Sequence, residues 1–163
     1  MPQLAEWKDF FTAEVGATAS LAGLIFVGVS INLTRILAHA ALPDRAAESM
    51  MQMIGGLIVA SLGLVPGQPD WVFGAEVAAV GAVLWLAASA MQYRYLRTRS
   101  GDPLSWVLGR VAMNQFATLP YILCGALVIA GQGWGLWLLA AGFVFSIIGA
   151  VTSAWVLLVE IHR

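Results

Sequence analysis

The chain has 163 residues, of which 60% are hydrophobic and only 10% charged, with a mean hydropathy of +0.84 and a formal net charge of −1. A soluble domain is roughly half apolar, so this composition belongs in a bilayer. The near-neutral balance, with a pI near 6.0, excludes a nucleic-acid partner, which requires a clustered basic face. The single cysteine, Cys124, sits in an apolar run, so it offers no disulfide framework or thiolate metal site and reads as a small buried hydrophobe.

In chain order, residues 1–12 are mixed in charge and the apolar run after them is long and uninterrupted, which argues against a cleavable signal peptide and for a retained anchor. The first segment runs from about Thr12 to Leu37. Thr12, Gly16, Ser20, Gly23, Val27, Ser30 and Thr34 recur along it at steps of four and three. At about 100° per residue they fall on one narrow helix face. Such a face suits close approach of another backbone, because in lipid apolar bulk gives no preference for protein over acyl chain. Glu14, Thr18, Gly28, Asn32 and Arg35 lie roughly 160° to 260° away from that stripe. With two faces unsuited to lipid, the helix is expected to be surrounded.

The second segment begins near Glu48 and stops at Val65, since Pro66, Gly67 and Pro69 cannot continue a helix. The third spans about Trp71 to Leu96, carries Glu76 near its start, and ends in Arg94, Arg97 and Arg99 before the turn Ser100, Gly101, Asp102, Pro103. The fourth, about Leu104 to Ala130, places Arg110, Asn114 and Thr118 at four-residue steps with Pro120 close behind. Proline frees a carbonyl there that neighbours must satisfy. After Gly131, Gln132 and Gly133, the fifth segment runs from about Trp134 to Ile161, with Gly142, Ser146, Gly149, Ser153 and Glu160 as a second small face.

These segments predict one transmembrane domain over 1–163, all-α, with five spanning helices at about 12–37, 48–65, 71–96, 104–130 and 134–161. With the N-terminus outside, Arg35, Arg45, Arg94, Arg97, Arg99, Arg110 and Arg163 fall on the inner side and only Lys8 on the outer. That asymmetry predicts N-terminus out and C-terminus in. Trp7, Trp71, Trp134 and Trp137 then mark the outer interface, Trp106 and Trp155 the inner one, and Trp85 alone lies near the midplane, where its N–H needs a partner on another helix. The turns Gly67, Gln68, Trp71 and Gly131, Gln132, Trp134 echo each other, as two repeated hairpins following a lone first helix would.

Packing expectations follow. The small faces of segments one and five (Gly16, Ser20, Gly23, Ser30 against Gly142, Ser146, Gly149, Ser153) should meet, within a protomer or across a protomer boundary. Arg110 should pair with Glu160, which lies at a similar depth, with Arg35 as a competing partner; the pair would serve as a latch or would simply neutralise charge near lipid. If segment one surrounded a symmetry axis, Glu14 would form an acidic ring outside and Arg35 a basic ring inside, as in charge-selective pores. The plainer alternative leaves both charges, and Glu76, at the headgroup boundary.

Enzymatic readings find no support. His39 and His162 lack the i, i+4 partner of a helical metal site, Ser30 stands in no nucleophile setting, and there is no glycine-rich phosphate loop. No cofactor is implied. The run Ser30, Ile31, Asn32, Leu33, Thr34, Arg35, Ile36, the turn Val65, Pro66, Gly67, Gln68, and the closing Ala154, Trp155, Val156, Leu157, Leu158, Val159, Glu160, Ile161 resemble a family of small bacterial five-helix integral membrane proteins. Some of its members are loosely labelled modulators of a membrane protease. The resemblance implies a multi-pass protein of the bacterial inner membrane with recurrent polar positions at Asn32, Arg35 and Glu160, and carries over no catalytic residue. The expected function is a homo-oligomeric ion channel or pore lined mainly by the first helix through Glu14, Thr18, Asn32 and Arg35. The alternative is a non-conducting regulator or scaffold that binds another membrane protein.

Overall fold

A computed structural model describes residues 3–38, 42–98 and 104–161, and apart from the connecting turns these are helical, with no strand among them. A short α1, Gln3–Glu6, precedes α2, Lys8–Ile31, and a further turn α3, Leu33–Leu37. Then come α4, Leu42–Leu62; α5, Asp70–Thr98; α6, Leu104–Ile129; and α7, Gly135–Ile161. Four stretches are long and apolar enough to cross a membrane: Lys8–Ile31, Asp70–Arg97, Val107–Ile129 and Gly135–Trp155. The protein is therefore a multi-pass membrane protein by length and composition.

The helix ends refine the sequence reading in several places: α2 begins at Lys8 rather than near Thr12, and α4 ends at Leu62 rather than Val65. The first segment is not continuous, because Asn32 leaves helical geometry (φ −104°, ψ 12°) while its side-chain amide donates to the Gly28 carbonyl at 3.0 Å. An asparagine side chain can replace the backbone donor in this way and interrupt a helix. The second segment starts at Leu42 rather than near Glu48. Pro43 and Asp44 suit a first helical turn, where a proline forfeits no hydrogen bond and an acidic group meets the positive end of the dipole. The other three segments end within two residues of their expected limits.

Helices α4, α5, α6 and α7 form a ring in that order, each packed on the next, with α7 closing on α4. The closest pair is α5 and α6, where Gly74 and Gly81 face Gly125, Tyr121 and Ile122 with no room for a side chain. Helix α2 lies outside the ring, packed along α4 and barely touching α7. The two hairpin turns each hold a glycine in the left-handed region, Gly67 (φ 72°) and Gly131 (φ 74°), a conformation costly for other residues. The echo between these turns thus has a matching backbone feature.

One end of the bundle gathers Trp7, Trp71, Trp134 and Trp137, with the Trp7 and Trp137 rings 5.0 Å apart. The half of the core near this end is dry: Phe11, Val59, Phe73, Val77, Tyr121, Cys124, Leu139 and Phe143 are all buried together. Phe11 reaches in from α2 because Gly63 leaves space for its ring. The opposite end carries Arg45, Arg94 and Arg110. There Arg94 bonds Asp44 at 3.1 Å, tying α5 to α4. Trp85 behaves as its position requires, donating from Nε1 to Gln115 Oε1 at 2.8 Å between α5 and α6.

Candidate functional site

The ring changes character halfway along its length. Above Tyr121 and Phe143 it is apolar, whereas below them α4, α6 and α7 turn Glu48, Gln52, Arg110, Asn114 and Ser153 towards a cavity of about 310 Å³. Arg45 and Thr152 complete much of its wall, and the small Gly109 and Gly149 keep it open. Helices α4 and α6 stand on opposite sides of the ring, so polar side chains rather than packed backbone bridge them. Arg110 Nη2 donates to Glu48 Oε2 at 2.8 Å, with the two side chains 18% and 7% exposed. The Arg110 guanidinium also lies 4.8 Å from the centre of the Tyr95 ring, a cation–π contact that holds it in place.

Several polar atoms of the residues that line this vestibule are themselves enclosed, with almost no accessible surface, and have no hydrogen-bond partner among the described residues. They are Arg110 Nη1, Gln52 Oε1 and both amide atoms of Asn114. Asn114 is 1% exposed and Gln52 7%. Orphaned buried polar groups are uncommon and costly, about 1–3 kcal/mol each. Thr118 and Thr152 contribute no such atom, because their hydroxyls donate to the carbonyls of Asn114 and Ile148 at 2.8 and 2.7 Å. At the boundary with the dry half, Ser146 donates to the Ala117 carbonyl at 3.1 Å, and the Tyr121 hydroxyl lies 3.4 Å from Ser146. The carbonyl that Pro120 leaves without its backbone donor is that of Phe116, so the Ser146 bond ties α7 to the neighbouring position of that turn and does not replace the lost donor.

Arg110 was expected to meet Glu160. Its partner is Glu48, while the Glu160 side chain, like His39, Arg99, His162 and Arg163, lies outside the described residues. Glu48 and Gln52 were not singled out from the sequence as site residues. The available signal was their four-residue spacing on the long helix that lacks a stretch apolar enough to cross by itself, followed by Gly55 and Gly56.

The faces of α2 are also reversed from the expected arrangement. Thr18, expected on a pore face, is 1% exposed and packs on Gly56 of α4, and Glu14 is half-buried with one carboxylate oxygen enclosed and unpartnered. Asn32 is half-buried and Arg35 exposed at the arginine end. Conversely, Thr12, Gly16, Ser20, Gly23, Val27, Ser30 and Thr34 are all exposed, and a side chain added at Gly16 or Gly23 would meet nothing within 4 Å. Within the protomer this stripe does not pack on α7, because α4 stands between them for most of their length. At the arginine end an apolar groove of about 270 Å³, lined by Leu24, Gly28, Val151 and Trp155, keeps α2 and α7 apart. The small face of α7 has other work: Gly142 admits Pro120 and Tyr121, Ser146 bonds α6, Gly149 abuts Gln52, and Ser153 lines the vestibule. Glu76 accepts a hydrogen bond from Gln68 of the adjoining turn and is half-buried.

No family model, curated protein or solved structure matches the chain.

Proposed function

We infer that this chain is a five-crossing protein of the bacterial inner membrane, with its N-terminus outside and its C-terminus inside, that provides a channel-like passage for an ion or small polar solute. Helix α4 is the fifth crossing. Its 21 residues span about 32 Å, enough for the hydrocarbon layer, and the neighbours that wrap its polar positions remove the need for a fully apolar surface. The seven arginines placed on one side support the orientation.

The observation that carries the passage reading is the vestibule itself, a cavity lined by polar side chains and the Arg110–Glu48 pair inside a bundle of membrane-crossing helices. Polar and ionisable groups inside a membrane bundle pair with one another and commonly mark ion, proton or substrate pathways. The route runs through the ring of one protomer and not along an axis lined by α2, because Glu14 and Thr18 face inward. Phe11, Phe73, Tyr121 and Phe143 pack across the tryptophan half, and the passage reading takes this arrangement as its shut state. The stripe on α2 is left to hold copies of the chain together, an association of protomers rather than the wall of a pore.

A second reading has its own support: a vestibule sealed on one side is also the form of a non-conducting regulator that senses a ligand and binds another membrane protein. Flux into proteoliposomes separates the two. Phe143→Ala, checked for a monodisperse profile, should raise conduction several-fold over wild type, and Glu48→Gln should lower it. No flux from wild type and none from Phe143→Ala would leave the regulator.

A further inference from the structure

Helices α2 and α7 both run to the arginine end of the bundle but barely touch, α2 being held chiefly by α4. Between them lies the apolar groove of about 270 Å³, whose wall runs on one side from Leu21 through Gly28 and Asn32 to Ile36 and on the other from Val151 to Trp155. Besides the Trp155 indole, Asn32 alone among the described residues brings a polar side chain to it, and the Asn32 NH₂ already donates to the Gly28 carbonyl. Gly28 deepens the groove, since a side chain there would meet nothing within 4 Å.

Its dimensions decide what fits. Leu21 stands midway between Trp7 and Arg35. From Leu21 to Ile36 the helix rises about 22 Å at ~1.5 Å per residue, against about 15 Å for half of a hydrocarbon layer, so the groove reaches from the bilayer centre to the headgroups of the leaflet on the arginine side. Spread over that length, 270 Å³ leaves a cross-section of about 12 Å². That is the order of one alkyl chain, whose carbons keep other carbons about 3.5–4.0 Å away. A helix from a second copy is about 10–12 Å across and does not enter.

The mouth of the groove selects the head that such a chain carries. Arg35 is exposed and flanks it, one residue before Ile36. Its guanidinium has five N–H donors, more than a single partner uses. The sequence places seven arginines at this end of the bundle against the carboxylates of Asp44, Glu48, Asp102 and Glu160, an excess of positive charge that attracts anionic headgroups. We propose that the groove holds an acyl chain of an anionic phospholipid from this leaflet, its phosphate beside Arg35, and that the lipid supplies the contact between α2 and α7 that the protomer itself barely makes. The lipid site is independent of any passage through the ring.

The test uses the purified full chain, stripped of lipid in dodecyl maltoside and then given dioleoyl phosphatidylglycerol or dioleoyl phosphatidylcholine. Retained lipid is counted by native mass spectrometry, and melting is followed in parallel. The chain should retain phosphatidylglycerol about fivefold or more above phosphatidylcholine, the preference that one arginine near an anionic surface gives, and should melt higher with it. Gly28→Leu enters open space, so it should fold and melt as wild type without lipid yet lose the retained phosphatidylglycerol about fivefold or more. Gly16→Leu, equally unobstructed but away from the groove, should retain it. Arg35→Gln should bring the two lipids to equal occupancy. Equal retention of both lipids by wild type would overturn the proposal, as would unchanged retention in Gly28→Leu or an equal loss in Gly16→Leu. A lower subunit number in Gly28→Leu with lipid retention unchanged would also overturn it, by placing a second copy at the groove.

Discussion

Gly125→Ala isolates the tightest contact in the bundle. The added methyl would stand against the Gly74 carbonyl oxygen, 2.6 Å from the Ala78 Cβ and 2.7 Å from the Ala78 amide nitrogen. Carbon atoms settle about 3.5–4.0 Å apart, so α5 and α6 would have to separate by roughly 1 Å at their crossing. Backbone cannot rotate away as a long side chain can, so the insertion cost should sit towards the upper part of the usual range of about 1–3 kcal/mol. The better helix propensity of alanine returns roughly 1 kcal/mol, leaving a net loss of about 1–2 kcal/mol. Gly23→Ala is the matched control, since it changes the same atoms on a helix where nothing lies within 4 Å. Reversible unfolding by sodium dodecyl sulfate in mixed micelles gives both numbers. If Gly125→Ala unfolds with wild-type stability, or Gly23→Ala loses as much in the monomer, the account of α5 on α6 fails.

Other outcomes follow from the same geometry. Glu48→Ala leaves the Arg110 cation enclosed without its carboxylate and should cost about 3–5 kcal/mol in the same unfolding assay, most of which the double variant Glu48→Ala with Arg110→Met recovers. Gly16→Leu with Gly23→Leu should leave the melting temperature of the protomer within a degree or two of wild type while lowering the subunit number measured by light scattering in mild detergent. An unchanged subunit number would remove the α2 stripe as an association surface. Phe143→Ala and Glu48→Gln, described above, test the closed half and the polar half of the ring separately.

The helices were legible from sequence because long apolar runs are bounded by prolines, glycines and arginines. Their pairing was not, for reasons that particular residues make plain. The small-residue spacing that pointed to α2 and α7 occurs equally in Gly74, Ala78 and Gly81 of α5, and it is these that meet α6. Periodicity tells which face is small, not which neighbour will occupy it. Arg110 was recognised as a charge needing a partner, but spacing along the sequence does not tell whether Glu48 or Glu160 stands at its level. Choosing between them depends on the ring order, with α4 opposite α6. The start of α4 was hidden because its first turn, Pro43, Asp44 and Arg45, looks like a loop by composition alone. Trp85 was read correctly because a lone indole at mid-depth has few alternatives to a partner such as Gln115.

The polarity of α4 bears on how the chain enters the membrane. Asp44, Arg45, Glu48 and Gln52 within its first half weigh against partitioning of that helix by itself, charged residues near a helix centre costing about 2.5–3.5 kcal/mol each on insertion scales. On the five-crossing reading, α4 would pass the translocon poorly until α5, which holds a stretch apolar enough to cross and is joined to it by the Gly63–Pro69 turn, emerged to escort it. The interval during synthesis before that escort arrives is then the stage at which quality-control proteases would find the nascent chain most vulnerable.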